Sequence, residues 1–271
     1  MAKHITSLIS QNFGKFASKE FPTWFQNIVN KSYVSLMGLD MSEFDDATSY
    51  KTLNKLFTRK LNKDREYSLD AQDFISPCDS LISECGDLDK DYALQIKGMS
   101  YSSDELLGEY FTKEEKEVIH DGKFINFYLS PKDYHRYHIP TDLKVLKAVH
   151  IPGKLYPVNF PSLRNKTNLF IENERVVLKC QSNGKTFYMV LVGALNVGVM
   201  QVAFEPKIKT NADAQNSTLY EYDNLELKKG DDFGCFEMGS TIVILAEKGM
   251  LEFENLTGKN VKYAQTIAKI I

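Results

Sequence analysis

Apolar side chains near the N-terminus recur at helical spacing. Ile5, Leu8, Ile9, Phe13 and Phe16 form one set, and after Pro22 a second follows in Trp24, Phe25, Ile28, Val29, Tyr33, Leu36 and Met37. Such spacing predicts two amphipathic helices. A third stripe, Leu53, Leu56, Phe57 and Leu61, shares its segment with Lys51, Lys55, Arg59, Lys60, Lys63 and Arg65, so this predicted helix is apolar on one side and basic on the rest. A basic amphipathic helix suits the surface of an anionic bilayer, where apolar burial and charge attraction add. It suits a protein core equally well, because spacing alone does not say what the apolar face meets.

From Phe74 onward the pattern changes to short β-type runs: Phe124 to Leu129, Val176 to Cys180, Thr186 to Val192, Val197 to Phe204, Thr241 to Ala246 and Met250 to Phe253. Turn residues separate them, Ser182-Asn183-Gly184 among them. Glu105 to Ile119 reads as a helical interruption, and the polar stretch Ile208 to Tyr222 as a surface loop. The fold class expected is α+β: an amphipathic helical, membrane-associating region over residues 1–70, then a compact β-rich catalytic core over residues 71–271.

With 271 residues the chain is long enough for a substantial buried core, and a net charge of only −3 argues against a nucleic-acid partner held by bulk positive potential. Cys78, Cys85, Cys180 and Cys235 are irregularly spaced, with no Cys-x-x-Cys pair and no histidine at ligand spacing, which favours a reduced compartment and no metal. Polar residues interrupt the N-terminus, so no secretory h-region is expected and the chain is placed on the cytoplasmic side. Met189 to Met200, the longest apolar stretch, falls well short of the about 20 residues that cross a bilayer, so any membrane contact is expected to be peripheral.

Candidate chemistry centres on Gly239-Ser240-Thr241, between the Gly-punctuated turn Lys229-Gly230-Asp231-Asp232-Phe233-Gly234 and an apolar strand. A serine hydroxyl placed there can attack the carbonyl of its own preceding glycine, whose missing Cβ tolerates the close approach. The peptide then becomes an ester, and elimination across Ser240 followed by hydrolysis leaves an N-terminal pyruvoyl group. Taken alone, Gly-Ser-Thr is equally an ordinary loop-to-strand junction. A serine needs a base. His135 and His138 lie three apart: a turn or helical start would put them on one face, a strand on opposite faces. His4, His120 and His150 stand alone.

The block Lys228 to Thr241 resembles the self-processing segment of the phosphatidylserine decarboxylases, whose usual Leu-Gly-Ser-Thr stands here as Met238-Gly239-Ser240-Thr241. Tyr128 to Pro140, which contains Asp133-Tyr134-His135-Arg136-Tyr137-His138, is similar to the same family, as are Pro152 to Asn159 and Asn173-Glu174-Arg175. The likeness runs from about Tyr50 to the C-terminus.

That resemblance implies a bacterial-type, pyruvoyl-dependent enzyme of phospholipid biosynthesis that converts phosphatidylserine to phosphatidylethanolamine and carbon dioxide. It implies self-cleavage between Gly239 and Ser240 into a large chain, residues 1–239, and a small chain, residues 240–271, that remain together as a heterodimer; a homo-oligomer is compatible with it. The cofactor implied is the covalent pyruvoyl group made from Ser240, which forms a Schiff base with the substrate amine. His138 would deprotonate Ser240, Asp79 would orient His138 in a charge relay, and His135 would serve the decarboxylation step. The family's Pro-x-Asp-Gly stands here as Pro77-Cys78-Asp79-Ser80. The location implied is the cytoplasmic face of the cell membrane, peripherally bound, with phosphatidylserine in an anionic bilayer as partner. Two rivals remain open: a serine hydrolase using Ser240, His138 and Asp79 on an external ester or amide, although the Gly-x-Ser-x-Gly elbow is missing, and a lipid-binding protein of the same fold that does not process itself.

Overall fold

The run Ser240–Ala246 shows no apolar–polar alternation because it is an interior strand of the largest sheet, buried at every position. A computed structural model of the chain describes residues 5–96, 99–195, 199–211, 216–237 and 240–271. The sheet has eight strands, in the order Thr218–Leu227, Leu143–Ile151, Arg175–Ser182, Lys185–Val192, Ser240–Ala246, Lys123–Leu129, Ser80–Asp87 and Asn260–Val261. Every neighbouring pair is antiparallel. Asn183 and Gly184 make the turn between the third and fourth strands with φ of 49° and 78°. Two positive φ angles match the right-handed strand twist, and an Asn-Gly pair supplies them at little steric cost.

A three-stranded sheet, in the order Met200–Val202, Asp232–Phe236, Arg136–His138, abuts the end of the large one. Gly234 in its middle strand has to be glycine, since a Cβ there would lie 1.8 Å from the Gln201 carbonyl oxygen. The N-terminal part forms α1 (Ile5–Ala17), α2 (Thr23–Met37) and α3 (Leu53–Phe57). Thr52 caps α3 by accepting from the Lys55 amide. Leu53, Leu56 and Phe57 are buried, each removed from water at a gain of about 1.5–3 kcal/mol.

The third amphipathic stripe therefore belongs to the core. Arg59 is buried over the Phe44 ring, and Arg65 is tied to Glu43 and Asp79, while Lys51, Lys55, Lys60 and Lys63 remain exposed. In α2 the burial is mixed: Val29, Tyr33 and Val34 pack on the cluster of Leu53 and Leu56, beside polar residues that also face inward. Gln26 and Asn30 point inward, Asn30 donating to the Ala47 and Tyr50 carbonyls, while Trp24 is 68% and Leu36 81% exposed, with Phe16 of α1 and Ile28 and Met37 of α2 also open.

Three expected elements differ. The helix expected over Glu105 to Ile119 is two short ones, Ser103–Leu107 and Lys113–Glu117, because Gly108 leaves helical space at φ 85°. The stretch expected as a loop from Ile208 to Tyr222 runs into the edge strand Thr218–Leu227, whose mixed exposure hides it from a search for apolar runs. Of Val197 to Phe204 only Met200–Val202 is strand, and residues 197 and 198 lie outside the described residues.

Candidate active site

Ser240 heads its strand opposite Leu129, with its side chain fully buried and no hydrogen-bond partner for Oγ among the described residues. A buried hydroxyl without a partner costs on the order of 1–3 kcal/mol, and such groups concentrate where chemistry needs them free. Gly239, the other expected cleavage residue, lies outside the described residues.

The strand that leads to Ser240, Asp232–Phe236, pairs with Arg136–His138, and the Phe236 amide donates to the His135 carbonyl at 2.9 Å. Backbone pairing thus sets His135 beside Phe236 and His138 beside Asp232, both in the strand that precedes Ser240 in sequence. The extended backbone from His135 to His138 gives the two imidazoles different surroundings. His135 is fully buried with its ring 4.0 Å from that of Phe57; Nδ1 lies 2.8 Å from the Asp133 carbonyl oxygen, and Nε2 has no partner among the described residues. A carbonyl can only accept, so Nδ1 carries the proton and Nε2 the lone pair. Burial pushes its pKa down to about 3, and this imidazole is neutral at physiological pH.

His138 Nδ1 lies 2.9 Å from the Gly230 carbonyl oxygen, which again leaves Nε2 as the basic nitrogen, here 3.0 Å from the Tyr134 hydroxyl. Burial lowers its pKa too. Its ring stacks on Tyr263, with centroids 3.5 Å apart and planes 14° apart.

Asp79 is not hydrogen-bonded to His138. Its carboxylate receives Arg65 in a two-pronged pair, at 2.5 and 2.9 Å, and the Tyr263 amide at 2.8 Å. Arg65 also binds Glu43, whose hydrogen bonds to this guanidinium hold its pKa down to about 2. The tautomer role expected of Asp79 is filled by a backbone carbonyl, that of Gly230. Ser80, where the family has glycine, begins the strand Ser80–Asp87 with its side chain buried and its hydroxyl without a partner among the described residues.

Arg136, a candidate counter-ion for substrate, is paired with Asp232 at 2.5 Å. His120 pairs with Asp104 and His150 with Glu174. Among the described residues no group of three His, Cys, Asp or Glu is arranged to hold a metal ion. Sequence reasoning passed over Tyr134, Tyr263 and Gly230 as neighbours of His138, and Phe57 and Arg59 as neighbours of His135. Arg59 donates to the Lys132 and Asp133 carbonyls, so the oxygen that fixes the His135 tautomer also holds a guanidinium. Tyr134 lies within a matched block, whereas Arg59 was grouped with the basic face of the third stripe and nothing local marks Tyr263.

The described residues thus hold a buried serine hydroxyl without a partner and two imidazoles fixed as their Nδ1–H tautomers, group types that nucleophilic and proton-transfer chemistry uses. The chain belongs to the phosphatidylserine decarboxylase family, an enzyme family whose sequence profile matches residues 53–269. It is similar to the phosphatidylserine decarboxylase proenzyme of Helicobacter pylori strain 26695, at 45% identity over 98% of this chain and 97% of that one. The proenzymes of Campylobacter jejuni, 43% identical over 96% of this chain and 97% of the relative, and of Nitrosospira multiformis, 34% identical over 99% and 93%, are similar along nearly the same length.

Proposed function

We propose that this protein is a phosphatidylserine decarboxylase that makes its own electrophile from Ser240, releasing carbon dioxide from phosphatidylserine to leave phosphatidylethanolamine. The observation that carries the reading is the buried, unpartnered Ser240 hydroxyl, approached by a strand paired to the one that bears His135 and His138.

Self-cleavage comes first. His138 Nε2 takes the Ser240 proton, with its Nδ1–H kept in place by the Gly230 carbonyl. Ser240 Oγ then attacks the Gly239 carbonyl carbon, and the peptide C–N bond breaks in favour of an ester with a free amine. Loss of the Ser240 α-proton expels the Gly239 carboxylate, and water replaces the resulting enamine nitrogen, which leaves as ammonia. His138 acts as base and Asp79 acts on it through intervening residues, which is a looser arrangement than a direct relay. The residues fit the group that results: a neutral imidazole and no fixed cation or carboxylate bonded to Ser240.

The pyruvoyl carbonyl, condensed with the substrate amine, supplies the electron sink for decarboxylation. His135 manages the protons. With a bare Nε2 directed away from the Asp133 carbonyl, it is the group assigned to return a proton to the substrate α-carbon after carbon dioxide departs. Phe57, against its ring, keeps water from competing for that nitrogen.

Within the N-terminal region, residues 1–70, α1 and α2 serve as the membrane-associating part, while α3 and the residues after it join the catalytic core of residues 71–271. The outward apolar residues of α1 and α2 support peripheral attachment at the cytoplasmic face, and no helix among the described residues is long and apolar enough to cross a membrane. Purified protein given carboxyl-labelled phosphatidylserine should release labelled carbon dioxide, and Ser240→Ala should release none. Full release by Ser240→Ala would remove the basis for the proposal.

A further inference from the structure

We propose that Tyr263 is a positioning residue that transmits the hold of Asp79 to His138, so that a side chain of the segment C-terminal to the cut fixes the base that makes the cut. The inference rests on the reading of His138 as that base.

Tyr263 is gripped at both ends of its own backbone unit. Its amide donates to Asp79 Oδ1 at 2.8 Å, and its carbonyl accepts from Arg65 Nη1 at 3.4 Å, the same nitrogen that binds Asp79 at 2.5 Å. The residue after it, Ala264, sits at φ 80°, a conformation a non-glycine residue keeps only where its surroundings enforce it. This grip aims the ring. The phenol lies flat against the His138 imidazole at 3.5 Å, and its hydroxyl donates to the Gly230 carbonyl oxygen at 3.1 Å, the oxygen that also receives His138 Nδ1. Tyr263 therefore fixes the plane of the imidazole and steadies the acceptor that sets its tautomer. The segment before Asp79 also holds the backbone of His138, whose amide donates to the Pro77 carbonyl at 2.8 Å, but Tyr263 is the link that touches the imidazole itself.

The ring also shields the imidazole from water. The other groups around His138 are the Tyr134 hydroxyl on Nε2 and, by charge, Asp232, Arg136 and Asp64. Burial holds the imidazole below its ordinary pKa against the pull of the acidic neighbours. Opening one face to water should let the value rise toward about 6.5.

The test follows self-cleavage in time in pulse-labelled cell-free translation of the full chain, across a pH series. Tyr263→Ala should slow cleavage on the order of 10- to 100-fold, the cost of a misplaced base, and move the acid limb of the rate profile to higher pH. Tyr263→Phe, which keeps the ring and the amide, should restore most of the rate. Asp79→Asn combined with Tyr263→Ala should be little slower than the slower single variant, as expected for two links of one chain. Tyr263→Leu, which fills the space without a flat ring or hydroxyl, decides the matter if near-ultraviolet circular dichroism shows that Tyr263→Ala does not fold. Wild-type rates and an unmoved pH profile in the folded Tyr263 variants, with His138→Ala blocked, would overturn the proposal alone. Wild-type cleavage by His138→Ala would instead overturn the reading on which it rests.

Discussion

His135 and His138 stand three residues apart along extended backbone and share almost no neighbours. One touches Phe57 and the Asp133 carbonyl, the other Tyr134, Tyr263 and the Gly230 carbonyl. Different surroundings suit different steps. His138→Ala should leave the chain uncut, whereas His135→Ala should still be cut yet release no carbon dioxide; a denaturing gel beside a carbon dioxide assay separates the two, and equal loss of cleavage in both would contradict the division. His135 also makes a stability prediction. Its folded pKa, about 3, lies below the unfolded value of about 6.5, so the unfolded chain binds the proton first and stability falls as pH drops between those values. Urea unfolding of Ser240→Ala at pH 7 and pH 5 should show this loss, and adding His135→Gln should shrink it. Ser240 and the histidines were legible because their chemistry and their motif lie within short stretches. The support of His138 was not: Arg65 and Asp79 are 14 residues apart and Asp79 and Tyr263 are 184 apart, a proximity that only the folded sheet creates.

At the scale of elements, helical spacing gave away α1, α2 and the start of α3, which ends at Phe57 short of the Leu61 expected on it, but not what their faces meet. Leu56 and Phe57 of α3 turn inward because Phe57 covers His135 and Leu56 joins a cluster with Phe13, Val29 and Tyr33. The α2 helix instead buries Gln26, whose amide donates to the Asn30 side chain, and Asn30, whose amide satisfies two backbone carbonyls, and leaves Trp24 and Leu36 outside. Large apolar groups left outside on the same helix are what motivate the proposed contact with a lipid surface. Trp24→Ser with Leu36→Ser should weaken binding to vesicles of anionic lipid, and lower activity on vesicle-embedded phosphatidylserine more than on a short-chain soluble analogue, without slowing self-cleavage. Added salt should weaken the remaining attraction through the exposed lysines. Undiminished vesicle binding would return these residues to a role within the protein. The strands found from sequence were the most continuously apolar ones; Ser80–Asp87, Leu143–Ile151 and Thr218–Leu227 escaped because each mixes buried with water-facing side chains.

In the whole molecule, the segment after Ser240 is woven into what precedes it. Ser240–Ala246 lies between Lys123–Leu129 and Lys185–Val192, Asn260–Val261 pairs with Ser80–Asp87, and Thr266–Ile270 pairs with Asp73–Ile75. The two chains made by the cut should therefore elute together from a sizing column under native conditions and separate only in denaturant. The central claim, that Ser240 is both the point of scission and the source of the electrophile, is tested most directly by the mass of the purified protein under denaturing conditions. The account predicts two fragments meeting between Gly239 and Ser240, with the smaller one lighter by one ammonia than a peptide beginning in serine. A single intact chain in active protein, or a small fragment with an unmodified N-terminal serine, would contradict it.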